Sequence, residues 1–266
     1  MWSESVYLDV VSADGKLAVV TRLARHVDEG VAWLWLHAFG IADLAFVRDD
    51  LPCDAARTED DDQGARYVID GEDVRAAFVR SGPKDMPTGA TVAVRVPGAI
   101  FEASFTPTGA AGSNLPGRSE VLGVVDASIT TAEGTARLAA RGQFHEQHQD
   151  APRFTVPFTY GTLRGDGLGM VALITPGRSG GFVSRHDEIV RATSAAISPA
   201  GPSRRLVLSL ERGGELEVDV RSTYDYELPI NGRPRRSAIV HGRVGSIDVS
   251  GCINDWRQEG AVRAEN

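Results

Sequence analysis

The segment Val6-Tyr-Leu-Asp-Val-Val11 runs into Ala13-Asp-Gly15 and leaves it as Leu17-Ala-Val-Val-Thr-Arg-Leu23. Two β-branched runs flanking an Asp-Gly pair predict a hairpin, because Asp and Gly tolerate the backbone angles a tight turn demands. The next run, Val31-Ala-Trp-Leu-Trp-Leu-His-Ala-Phe39, is apolar on both alternating faces. Such a strand is expected to be covered on both sides. Its odd face carries the large side chains Val31, Trp33, Trp35, His37 and Phe39.

The same pattern continues down the chain. Strands are expected at Thr91–Val96, Ile100–Phe105, Val121–Ile129 and Thr135–Phe144. A second meander opens after Pro157 with Phe158–Leu163, turns at Gly165-Asp-Gly167, and continues through Gly169–Thr175 to Ser246–Gly251. No long segment has a period of 3.6 residues. Asp73–Arg80 reads either as a short helix or as one arm of a hairpin around Asp70-Gly71. Glu59–Gln63 and Thr106–Arg118 read as exposed loops. The expected fold is all-β, with two antiparallel barrels, or a barrel and a sandwich, in tandem. The boundary is expected where Pro152 and Pro157 bracket a polar stretch, giving domains at residues 1–150 and 151–266.

Composition narrows the function. Hydrophobic residues make up 42% of the 266, enough for a sizeable core. A net charge of −8 without a basic stripe argues against nucleic acid and anionic membrane surfaces. No apolar run approaches the roughly 18 to 20 residues of a membrane helix. The start of the chain has neither a basic nor an apolar signal region. Cys53 and Cys252 alone build no disulfide framework, and a reducing cytoplasm is expected.

Gly142-Gln-Phe-His-Glu-Gln-His-Gln-Asp-Ala-Pro-Arg-Phe154 concentrates ionisable groups at a strand end. With strict alternation, Leu138, Ala140, Gly142, Phe144, Glu146 and His148 share the inward face. Glu146 then serves as a general acid paired to His148, with Asp150 and Arg153 orienting the pair. A bulge at Gly142 would bring His145 inward instead. The competing reading is a solvated strand end, because burying an ion pair costs several kcal/mol per ion before compensation. His145-Glu-Gln-His148 misses the spacing of a helical zinc motif, which needs histidines four apart, so no metal is expected. Trp33, Trp35, His37, Phe144, Tyr224 and Tyr226 are the expected cavity walls, with packing alone as the alternative. The sequence has no nucleophile elbow, phosphate loop or dinucleotide fingerprint, and no cofactor is expected.

Several pieces together resemble the carotenoid 1,2-hydratase (hydroxyneurosporene synthase) and AttH-like superfamily. They are Val6–Val20 with its Asp14-Gly15 turn, the strand Val31–Phe39, Phe105-Thr-Pro107, and Gly142-Gln-Phe-His-Glu followed by Ala151-Pro-Arg-Phe. Gln149-Asp150 stands where that pattern has Trp-Gly. The resemblance implies paired lipocalin-like barrels and hydration, cyclisation or isomerisation of terpenoid or polyketide-like molecules, with some relatives acting as pericyclic cyclases. The alternative function is a non-catalytic carrier of an apolar ligand.

Overall fold

The computed structural model describes residues 2–109, 111–113, 115–150, 156–185, 188–230 and 233–256. Eleven strands make the first sheet: β1 (Ser3–Val11), β2 (Ala18–His26), β3 (Val31–Phe39), β4 (Leu44–Pro52), β5 (Ala56–Asp61), β6 (Gly64–Asp70), β7 (Arg75–Ser81), β8 (Gly89–Val96), β9 (Ala99–Pro107), β10 (Arg118–Thr131) and β11 (Gly134–Gln149). Its order is β4-β3-β2-β1-β11-β10-β9-β8-β7-β6-β5, so the sheet curls into a barrel left open between β4 and β5. Eight more strands close a second barrel: β12 (Phe158–Gly165), β13 (Leu168–Thr175), β14 (Arg178–Arg185), β15 (Glu188–Ile197), β16 (Ser203–Leu210), β17 (Glu215–Ile230), β18 (Arg233–Val244) and β19 (Ile247–Trp256). The fold is all-β, two antiparallel barrels in tandem. No helix is long and apolar enough to cross a membrane among the described residues.

The hairpin at Asp14-Gly15 forms as its sequence dictates, with Gly15 at φ +70°. Its tip also packs on the second barrel, where a Cβ on Gly15 would sit 2.8 Å from Thr223 Oγ1. Residues 75–81 are strand β7, which settles that region as a hairpin rather than a helix. Glu59–Asp61 belong to the exposed end of β5, not to a loop, because β6 supplies backbone partners that composition does not reveal.

Each barrel fills its own interior. The first packs Leu8, Leu34, Phe78, Phe101, Phe105 and Phe144 among others. The second packs Leu163, Met170, Leu206, Leu208, Val240 and Ile253. β1, β2 and β3 are apolar or buried on both faces for a third reason: their outer face meets the outside of the second barrel. Tyr7, Val11, Ala18 and Val20 touch Ile239 and Cys252 there. Trp33 and Trp35 meet Leu228 and Trp256. Inside this seam Arg164 of β12 and Asp9 of β1 form an ion pair at 2.5 Å, and both side chains are almost completely buried.

Candidate functional site

Register builds the seam from two rows of side chains. Across β3, β2, β1, β11 and β10, the residues Trp35, Arg22, Tyr7, His145 and Glu120 stand side by side. Across β13, β12, β19, β18 and β17 stand Leu173, Tyr160, Asn254, Ser237 and Tyr226. Side chains alternate across a strand, so each row projects on the outer face of its own barrel. Between the rows lies a cavity of about 210 Å³. Its walls include Trp35, Phe158, Leu173 and Leu228, with Arg22, Arg118, His145 and Arg235 among the polar groups.

One edge of the cavity is a tightly bonded polar cluster. Arg118 Nε meets Glu120 Oε1 at 2.5 Å. Tyr160 donates its hydroxyl proton to the same carboxylate oxygen at 2.8 Å, and Gln143 Nε2 donates to the Tyr160 hydroxyl at 2.7 Å. The Arg118 guanidinium also lies 4.4 Å from the Tyr160 ring centroid. Arg118 Nη2 is 3.5 Å from His145 Nδ1. The His145 ring stacks on Tyr7 at 4.6 Å, and Tyr7 donates to Asp9 Oδ2 at 3.0 Å.

Burial sets the protonation of this cluster. Desolvation, and then the Glu120 charge, push the Tyr160 phenol well above its ordinary range. Desolvation and Asp9 do the same for Tyr7, and desolvation does so for Tyr226. All three phenols therefore remain hydrogen-bond donors at neutral pH. Burial works against the Arg118 charge, but Glu120 and Tyr160 together outweigh it and hold the guanidinium pKa up. Arg235 differs: burial draws its pKa down, and the positive Arg118 adds to that.

The polar stretch of β11 is divided between two environments. Its register with β1 and β10 is unbroken at Gly142, so there is no bulge. A Cβ there would lie 2.3 Å from Val125 and 2.4 Å from the Asp9 carbonyl, which is why glycine occupies the position. Glu146 and His148 point into the first barrel. The Glu146 carboxylate meets Arg80 Nε at 2.7 Å, and Arg80 also reaches Asp60 at 2.7 Å. Burial raises the Glu146 pKa, against the pull of the Tyr67 hydroxyl and the Arg80 charge. His148 Nε2 sits 3.1 Å from that same Tyr67 hydroxyl. Gln143, His145 and Gln147 face the seam.

The other expected residues are scattered. Phe144 is in the core of the first barrel, 5.9 Å from Phe105 between centroids. Trp35 and Tyr226 line the cavity, and Trp33 stacks beside Trp35 at 6.1 Å. His37 is buried in the seam 5.5 Å from Tyr226, with its pKa lowered by desolvation to about 4. Tyr224 donates its hydroxyl to the Lys16 carbonyl at 2.9 Å and stacks on Phe39. Asp150 is exposed at the end of β11. Arg153 lies outside the described residues. Among those residues no group of three or more His, Cys, Asp or Glu side chains could hold a metal ion.

Sequence reading did not single out Tyr7, Arg22, Arg118, Glu120, Gln143, Tyr160 or Arg235. The available signal was a charged residue on an otherwise apolar strand, as with Arg22 after Val19-Val-Thr21 and Asp9 after Leu8.

This fold, two antiparallel β-barrels in tandem, occurs among solved structures. It matches the crystal structure of CghA with a TM-score of 0.69 at 13% identity, over 96% of this chain and 88% of that one. CghA solved with Sch210972 matches at 0.68, with the same identity and coverage. At that identity the likeness concerns the fold. No protein-family model matches the sequence, and no curated protein matches it.

Proposed function

We propose that this protein is a cofactor-independent enzyme that takes a hydrophobic small molecule, terpenoid or polyketide-like, into the seam cavity and hydrates, cyclises or isomerises it. The observation that carries this reading is the cavity itself. Both barrel interiors are filled by side chains, while the space between them is walled by aromatic and aliphatic groups with a few convergent polar ones. That is the usual composition of a small-molecule site. The fold shared with CghA, which has been solved with a small molecule, supports the reading by analogy. The two barrels act as its two domains, residues 1–150 and 151–266, and the resemblance to the carotenoid 1,2-hydratase and AttH-like superfamily points to the same chemistry.

The geometry favours His145 over the Glu146–His148 pair as the proton-transferring group. His145 lines the cavity, whereas the Glu146 carboxylate is engaged by Arg80 on the far side of β11. In this scheme Glu120 and Gln143 fix the Tyr160 hydroxyl, Arg118 and Tyr7 hold the imidazole, and Trp35 and Phe158 shape the substrate. Aromatic faces of this kind stabilise a developing cation. A positioned acid–base group contributes about 10² to 10⁴ in rate.

The test is a panel of terpenoids and polyketides screened by thermal shift, since binding raises apparent stability by mass action. Products are then sought by mass spectrometry. Replacing Leu173 with Trp should block binding while leaving the fold intact, because the added volume enters the cavity. Conversion lost in His145→Ala but retained in Glu146→Gln supports the assignment, and the reverse pattern sinks it. Binding without conversion of any panel member would make the protein a carrier.

A further inference from the structure

The polar side chains that line the seam cavity are nearly all committed to the protein itself. Tyr7 donates to Asp9 at 3.0 Å and Tyr160 to Glu120 at 2.8 Å, so both hydroxyl protons are used within the wall. Arg118 is bound to Glu120, and Thr175 donates to the Arg178 carbonyl at 3.2 Å. Arg22, His145, Gln147, Gln149 and Arg235 are engaged as well. The Tyr226 hydroxyl is closed off from the space by its neighbours.

Asn254 is the exception among the described residues. Its place on β19, between Tyr160 of β12 and Ser237 of β18, sets its side chain in the outward row that meets the cavity. The residue is only 5% exposed. Ser237 donates its hydroxyl proton to Asn254 Oδ1 at 2.7 Å, which fixes the amide. The amide nitrogen has no partner among the described residues. That nitrogen carries two hydrogens and accepts nothing. Phe158, Leu173 and Leu228 share the same cavity wall and offer it no acceptor. A donor enclosed by apolar groups gains from whatever acceptor reaches it, and loses when a bound molecule brings none.

We infer that Asn254 orients the ligand, donating from its amide nitrogen to a neutral carbonyl oxygen on an otherwise apolar molecule. The inference rests on reading the seam as the ligand site. A carbonyl fits better than a hydroxyl, because a hydroxyl brings a proton that needs an acceptor of its own, and no Asp or Glu is among the described lining residues. Ser237 is the positioning residue, since its bond to Oδ1 holds the nitrogen toward the cavity. Size fixes the rest. The cavity holds about 210 Å³, below the roughly 300–1,000 Å³ of pockets that enclose a whole drug-sized molecule. The carbonyl end therefore sits inside and the apolar remainder leaves past Leu115 and Val156. Val156 is 52% exposed, unusually open for an apolar side chain bordering a cavity.

The experiment titrates the intact chain with three probes of one shape: 2-acetonaphthone, 2-isopropenylnaphthalene, in which a methylene replaces the oxygen, and 1-(2-naphthyl)ethanol. By calorimetry the ketone should bind about fivefold more tightly than the alkene, the scale of one neutral hydrogen bond. Asn254→Asp keeps the size of the side chain and the acceptor for Ser237 and removes the donor. That variant, and Asn254→Leu, should each bring ketone and alkene within about twofold. Urea midpoints report whether the variants fold. The unaltered protein decides the question without them, because it has only four asparagines to label with nitrogen-15. The Asn254 amide protons should move downfield with the ketone and not with the alkene. A ketone preference that survives in a folded variant, or an Asn254 resonance that ignores the ketone, would overturn the assignment. Equal binding of ketone and alkene, abolished by Leu173→Trp, would overturn the carbonyl and leave the seam site standing. Tighter binding of the alcohol would overturn the choice of a carbonyl. Binding of none of the three would overturn the seam reading and this inference with it.

Discussion

On one face of β11, Arg80, Glu146, Tyr67 and His148 meet inside the first barrel; on the other, Arg118, Glu120, Tyr160 and His145 meet at the seam. The residue types are the same and the surroundings are not. The inner group is drawn from one sheet, and its arginine is shared by two carboxylates, Glu146 and Asp60. The outer group joins two sheets and borders an open volume, where Arg22 and Arg235 add further positive charge. A buried polar network whose members bond one another away from any open volume closes a core. One that borders an open volume can present its groups to a ligand.

The largest effect expected is on the inner group. Arg80→Ala leaves Glu146 buried without its cation and should cost about 3–5 kcal/mol in urea unfolding. Replacing Arg80 and Glu146 together with methionine should recover much of that loss, since the buried carboxylate goes with its cation and the part-exposed Asp60 can turn to water. A small cost for Arg80→Ala alone would show that water reaches the inner group, and the contrast with the seam would collapse.

His37 gives the seam a pH dependence of its own. Its pKa is about 4 in the folded chain, against an ordinary 6.5. Between these values the unfolded chain binds the proton more readily. Stability should therefore fall as the pH drops through 6.5 toward 4, by about 3 kcal/mol at the acid end, and this term vanishes above pH 6.5. The difference in unfolding free energy between the parent and His37→Phe, followed from pH 7 to pH 4, measures it. A pH-independent difference would contradict the burial of this imidazole.

Removing one hydroxyl from each group sharpens the comparison. Tyr67→Phe and Tyr160→Phe should each cost about 1–3 kcal/mol, because buried partners lose a hydrogen bond. Only Tyr160→Phe should also weaken ligand binding at the seam. Equal effects on binding would place both groups in one site. The smallest effect belongs to the surface, where Arg48 meets Asp50 at 2.8 Å. A double-mutant cycle on that exposed pair should return no more than about 1 kcal/mol.

Much of the fold was legible because its signals are local. Asp14-Gly15 between β-branched runs is a hairpin wherever it occurs, and the two-faced apolarity of Val31–Phe39 announced a strand covered on both sides. β4 and the β5–β6 pair were less readable, since their exposed positions interrupt the alternation. At the site, alternation correctly separated Glu146 and His148 from His145. It gave no reason to look outward, because an isolated strand does not show that its polar face will be covered by a second barrel.

The sequence by itself determined the strand periods, the turns and which residues of each strand share a face, since these follow from backbone sterics within a few residues. Only the tertiary structure decided that Arg22, Arg118, Tyr160 and Arg235, drawn from four strands of two barrels, would converge on one cavity. It also decided that Glu146 would face an arginine instead of a histidine. Contacts between residues far apart in the chain depend on how the sheets curl and dock, and no local pattern encodes that docking.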